Sequence, residues 1–251
     1  PIFEAFLQAG MQYGLNYNAD YNAQEQEGVH RYQATIDGGV RASTDYAYLR
    51  SAAGRPNLSV MTEARAESIV LEGDRAIGIR LHIRGTSITV FAEREVVVSC
   101  GTYQSPFLLM HSGIGPGDQL RKFDVPVAVH LPGVGRNLQD HPCVGLGYRS
   151  KIEGISPLVG MGLLDKAVLG ANWLFRKKGL GATNLWETGS FFRSSDDADY
   201  ANIQHEFIPM IGDFTHGSHD LSDGFLYQVC LMRPKSRGSV ELNSADPTAA
   251  P

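Results

Sequence analysis

Arg75-Ala-Ile-Gly-Ile-Arg-Leu-His-Ile83 sets Ile77, Ile79, Leu81 and Ile83 at alternate positions, with Gly78, Arg80 and His82 between them. A period of two is that of a strand with one buried and one solvated face. On its N-terminal side, Ser68-Ile-Val-Leu71 reads as a preceding strand, joined through the turn Glu72-Gly73-Asp74. On its C-terminal side, Gly85 turns the chain and Ile88-Thr-Val-Phe91 returns. Glu95-Val-Val-Val-Ser99 follows, and its unbroken valine run suits a strand buried on both faces. Residues 66–99 are therefore expected to form a β-meander that feeds a buried central strand. Leu58, Val60 and Thr62 suggest one more short strand just upstream.

The central strand should end at Cys100-Gly101, and a helix should begin near Ser105-Pro106, with proline at its first position. A Gly/Pro-rich loop, Ser112-Gly-Ile-Gly-Pro-Gly117, precedes a short helix around Gln119 and a strand over Asp124-Val-Pro-Val-Ala-Val129. At the other end, Ile2, Phe3, Phe6 and Leu7 share one face of a helix within residues 1–15. Residues 16–40 are polar, and Ser43 or Thr44 caps a short helix through Tyr46, Tyr48 and Leu49. After residue 150, a helix runs from Leu163 to Lys178, its basic end complementing the helix dipole before Gly179 stops it. Strands follow over 185–193, 203–211, 225–232 and 239–242, mostly antiparallel. The division falls into 1–149 and 150–251.

With 43% hydrophobic and 20% charged residues, the 251-residue chain can pack a core. A net charge of −5 argues against a nucleic-acid surface. No apolar run approaches the ~18 residues of a membrane span. Cys100, Cys143 and Cys230 are scattered without a CxxC pair, which reads as reduced thiols in an intracellular protein. The chain starts without Met and stops inside Asp246-Pro-Thr-Ala-Ala-Pro251, and is expected to be a fragment.

Gly113-Ile-Gly115 and Gly133-Val-Gly135 each lack the third glycine of a dinucleotide fingerprint and read as tight turns. The junction at Gly101 is a better cofactor contact, because a glycine opening a helix lets a ligand approach the backbone. His216-Gly-Ser-His219 matches no common metal spacing, so no metal is expected there, and His205 reads as a core or interface residue within a strand. Glu187 is a lone carboxylate among Leu185, Trp186, Phe191 and Phe192. Such an acid can bind an organic cation through ion pairing and cation–π attraction, or simply face outward from its strand.

Four ordered blocks then resemble one family. Gly101-Thr-Tyr-Gln-Ser-Pro-Phe-Leu-Leu-Met-His-Ser-Gly-Ile-Gly-Pro116 is similar to the second signature of the glucose–methanol–choline (GMC) flavoprotein oxidoreductases. Leu131-Pro-Gly-Val-Gly-Arg-Asn-Leu-Gln-Asp-His141 resembles their next block. Pro56-Asn-Leu-Ser-Val60 and Arg233-Pro-Lys-Ser-Arg-Gly-Ser-Val-Glu-Leu-Asn243 complete the series. Within the family, Gly179-Leu-Gly-Ala-Thr-Asn184 with Glu187 most resembles choline dehydrogenase-like alcohol dehydrogenases.

The resemblance implies an α/β protein. Residues 1–149 would be part of an FAD-binding domain with a parallel sheet and meander, and 150–251 part of a substrate domain with a mostly antiparallel sheet. It implies FAD as cofactor, with Ala66 near the adenine, Gly101 near the cofactor, and Asn137, Asp140 and His141 on the flavin-side loop. Glu187 would face the substrate's trimethylammonium group. The expected chemistry is oxidation of an alcohol CH–OH, possibly choline's, with hydride passing to flavin N5. The electron acceptor is left open between oxygen, quinone and other carriers, and no nucleic acid or metal is involved. The family's pyrophosphate-binding GxGxxG and catalytic histidine match no residue here, so no catalytic residue is assigned. This stretch alone is expected to bind FAD poorly. A cytoplasmic location is implied, with peripheral association at the inner membrane face as its variant. A non-catalytic remnant or binding module of the same fold is the alternative.

Overall fold

The computed structural model describes residues 2–212 and 221–250. The chain forms two compact units, each made of two separate stretches: Pro1–Pro56 with His141–Pro234, and Asn57–Asp140 with Lys235–Pro251. The chain passes from one unit to the other at 56/57, 140/141 and 234/235.

The first unit begins with helix α1 (Ile2–Tyr13) and strand β1 (Gly28–Arg31), followed by the small hairpin β2 (Ile36–Asp37) and β3 (Val40–Arg41). A π-helical turn over Asp45–Leu49 runs into α2 (Arg50–Ala52), where the Ser43 hydroxyl accepts the Tyr46 N–H at 3.3 Å. The period-3.6 stripe of α1 buries Phe6 and Leu7 against Val29 and Phe207, and Phe6 stacks on Phe207 with centroids 4.9 Å apart. Each such side chain contributes roughly 1.5–3 kcal/mol when fully buried.

The second unit holds the meander β4 (Ala64–Glu72), β5 (Arg75–Ile83) and β6 (Thr86–Phe91), antiparallel throughout. Helix α3 (Gly101–His111) is followed by β7 (Ile114–Gly115), α4 (Gly117–Lys122), β8 (Val129–His130) and β9 (Arg136–Leu138). Its core gathers Phe107, Met110, Leu120 and Leu242.

Returning to the first unit, the chain adds β10 (Cys143–Arg149), α5 (Leu163–Arg176), β11 (Thr188–Phe192), β12 (Ile203–Ile208) and β13 (Gly224–Leu231). Five strands form one antiparallel sheet in the order β1-β11-β12-β13-β10. Finally β14 (Gly238–Ser239) pairs with β9 in the second unit.

Several expectations are corrected. The run Val96-Val97-Val98 is not a strand, and Val97 is 76% exposed. The run joins no ladder among the described residues, so it has neither paired edges nor two covered faces. Leu58 to Thr62 also stays outside any ladder, and the strand expected over 124–129 shrinks to β8. Helix α3 opens at Gly101, leaving Pro106 inside it, because Gly101 adopts φ +85° and the Cys100 N–H is taken by the Ser105 hydroxyl at 3.0 Å. Helix α5 ends at Lys177, which takes the left-handed conformation with φ 52°, two residues before Gly179. The thiols are not all reduced: Cys143 and Cys230 face each other across β10 and β13 and form a disulfide, while Cys100 is free and exposed. Spacing hid this pair, because a register between strands 87 residues apart brings it together.

Candidate functional site

Each unit presents one candidate surface. In the second unit, a cavity of about 480 Å³ lies between β4 and the start of α3, lined by Ala66, Cys100, Gln104, Phe107, His111 and Thr248 among others. The β4–β5 register shifts between Ala66 and Ser68, so Glu67 falls outside the ladder at this edge of the cavity. Gly101 follows Cys100 in the left-handed region that only glycine adopts freely. The Ser112 hydroxyl fixes α3 to the meander: it accepts the Ile69 N–H at 2.7 Å and donates to the Leu108 carbonyl at 2.6 Å. His111 Nε2 is buried without a hydrogen-bond partner, and burial lowers the pKa of this imidazole against a weaker opposing pull from Asp246.

Sequence reasoning placed Ala66 and Gly101 at a cofactor. The structure brings Ala66 and Gly101's neighbour Cys100 to one cavity. Asn137, Asp140 and His141 are exposed and lie outside it, and Asn137 takes φ 65° within β9. The pair His216 and His219 falls outside the described residues. Among those described, no group of three His, Cys, Asp or Glu side chains could hold a metal, and no helix is long and apolar enough to cross a membrane.

In the first unit, the five-stranded sheet has one face under α1 and one that carries Glu187. The Tyr32 N–H donates to the Glu187 carbonyl at 2.9 Å, extending the β1–β11 ladder one residue before Thr188. Leu185, at φ 64°, breaks the strand just upstream. Alternation then puts Glu187 on the face of Gly189 and Phe191, together with Gln204 and Glu206 of β12 and Gln228 of β13. A Cβ on Gly189 would strike the Tyr32 hydroxyl and the His205 carbonyl, so glycine leaves the slot that the phenol occupies. From that slot Tyr32 donates to the His205 carbonyl at 2.9 Å. Gln204 Nε2 donates to the Tyr32 oxygen at 2.8 Å and to Glu206 Oε1 at 3.1 Å. Burial raises the Glu206 pKa, and a hydrogen bond from the Trp186 side chain acts against that rise.

The opposite face holds His205, half-buried, with Nδ1 3.3 Å from the Ser190 hydroxyl beside an apolar cavity of about 320 Å³. This agrees with its reading as a core histidine. The sequence pattern alone does not single out Tyr32, Gln204 or Glu206 as candidates. The available signal was the polar alternation of Gln204 and Glu206 with His205 and Phe207, which marks the face of β12 opposite the core.

Comparison with known proteins adds the following. The family model described as GMC oxidoreductase matches residues 1–143. The oxygen-dependent choline dehydrogenase of Burkholderia thailandensis is 40% identical over 252 residues, covering all of this chain and 44% of the relative. The chain thus spans less than half the length of that relative. Formate oxidase from Aspergillus oryzae RIB40 superposes with a TM-score of 0.87 at 26% identity, over 99% of this chain and 48% of its own. Pyridoxine 4-oxidase from Mesorbium loti superposes with a TM-score of 0.80 at 27% identity, over 98% of this chain and 44% of its own.

Proposed function

The chain belongs to the GMC oxidoreductase family, and from that premise we propose that it is part of an FAD-dependent enzyme oxidising the CH–OH group of a cationic alcohol such as choline. Choline dehydrogenases that match the chain end to end support the reaction class. Position supports the substrate side, because Glu187 is a half-buried carboxylate on the sheet face turned away from α1. That placement carries the reading.

The cavity at Ala66 fits part of the cofactor. It offers a bulge that leaves a main-chain position outside the ladder, a glycine junction without a side chain, and a buried imidazole nitrogen in need of a partner. The main chain at Ala66 and the junction at Gly101 would hold FAD there. Asn137 in β9, and the exposed Asp140 and His141, are proposed as further cofactor-side residues outside that cavity. When bound, FAD supplies the hydride acceptor. Glu187 holds the substrate's cationic end by charge and so fixes the distance from that end to the carbon that is oxidised. The corresponding domain assignment is proposed for the two units: the one with the meander for the cofactor, the one with the five-stranded sheet for the substrate. The protein is proposed to act in the cytoplasm.

The test uses the complete flavin-loaded protein with choline and its uncharged isostere 3,3-dimethylbutan-1-ol. Glu187→Gln is expected to lower kcat/KM for choline about ten- to hundred-fold while changing the isostere little. Equal losses on both alcohols would remove the cation-binding role. A complete protein without a flavin spectrum would favour the non-catalytic remnant.

A further inference from the structure

Glu187 is not the only acid on its face. Glu206 stands directly opposite Gly189 across β11 and β12, and Gly189 lies two residues from Glu187 on the same face. The two glutamates are therefore diagonal neighbours, a relation that spaces such positions by about 7–8 Å. Neither joins an ion pair among the described residues. On the same rung, the partner of Glu206 in β13 is the uncharged Gln228. No cation among the described residues neutralises either half-buried carboxylate, which leaves both to a bound cation.

The second acid is also held in place. Gln204 Nε2 reaches its Oε1 at 3.1 Å, and the same amide is fixed by the Tyr32 phenol, which fills the slot left by Gly189. Trp186, next to Glu187 in sequence, also hydrogen-bonds the Glu206 side chain. An oriented carboxylate of this kind accepts hydrogen bonds, and a quaternary ammonium has none to donate. A protonated primary, secondary or tertiary amine donates N–H to a carboxylate in a charge-assisted bond about twice as strong as a neutral one.

We propose that Glu206 is a specificity-determining residue. Glu187 and Glu206 together select an ammonium group bearing at least one N–H, so the preferred substrate class is protonated amino alcohols rather than quaternary ones. This rests on the cation-binding reading of Glu187 and narrows it.

Two probes without a hydroxyl separate the two claims: trimethylammonium, with one N–H, and tetramethylammonium, with none. Both are titrated calorimetrically at neutral pH into the complete, flavin-loaded protein. Trimethylammonium is expected to bind about ten-fold more tightly. Glu206→Gln should bring the two affinities together by weakening trimethylammonium alone, and Glu206→Asp should keep part of the preference. In turnover, N,N-dimethylaminoethanol should exceed choline in kcat/KM, and Glu206→Gln should erase that advantage. Equal binding of both probes to the unsubstituted protein overturns the role of Glu206 and leaves Glu187 standing. A preference that survives Glu206→Gln does the same. Failure of the unsubstituted protein to bind either probe overturns both readings. If Glu206→Gln loses both probes together through misfolding, the unsubstituted ratio and Glu206→Asp still decide.

Discussion

The two sheets behind the candidate surfaces are both antiparallel but are assembled in different ways. Strands β4, β5 and β6 come from one unbroken stretch, and two-residue turns at Gly73-Asp74 and Arg84-Gly85 join them. Arg84 and Gly85 both take positive φ, the pattern of a tight hairpin turn matched to strand twist. The five-stranded sheet instead draws β1 and β10 from stretches far from β11, β12 and β13. Its register is held by what lies across it: α1, the rings of Phe6, Phe207 and Phe225, and the Cys143–Cys230 bond. Local turns carry the first sheet, and long-range contacts carry the second.

Substitutions that break these supports should expose the difference, with amide hydrogen exchange reporting each sheet separately. The largest effect is expected from Phe207→Ala. It should cost about 4 kcal/mol and speed exchange throughout β11 to β13, while 64–91 keeps its protection. Uniform loss in both sheets would show that the meander is not self-supporting. Next, Cys143→Ser should cost about 3 kcal/mol, concentrated at β10 and β13.

Acid is the third probe. His30 is fully buried among Tyr21, Tyr32 and Phe191, and burial pushes its pKa down to about 4, against a smaller upward pull from the Gly28 backbone. The folded value lies below the unfolded 6.5, so the unfolded chain takes up a proton first as pH falls. Stability present above about pH 6.5 is therefore lost toward pH 4, by an amount on the order of 3 kcal/mol. His30→Phe should flatten that part of the pH–stability profile. The smallest effect is expected from Ile69→Val in the meander, about 1 kcal/mol and confined to β4 and its neighbours.

The same contrast explains what was legible beforehand. The alternation at Ile77, Ile79, Leu81 and Ile83 specifies strand, face and turn within a few residues, so the meander was readable. So was the helical stripe of Phe3, Phe6 and Leu7. The valine run at 96–98 misled because a hydrophobic run states a preference for burial and does not supply neighbours. The strands β1 and β10 were passed over because polar Asn-rich sequence and glycines, including Gly145 and Gly147, give no period of their own. Glu187 stands out in the sequence as a lone acid among aromatic neighbours. Glu206 does not, because only its register opposite Gly189 sets it on the same face.

The sequence by itself determined the family, the meander and the first helix, because each rests on short-range pattern or on contiguous motif. Tertiary structure alone decided how the chain crosses between its two units. It also decided which cysteines pair and which polar groups join Glu187 on one face. Those outcomes depend on contacts between residues tens to more than a hundred positions apart, which no local periodicity encodes.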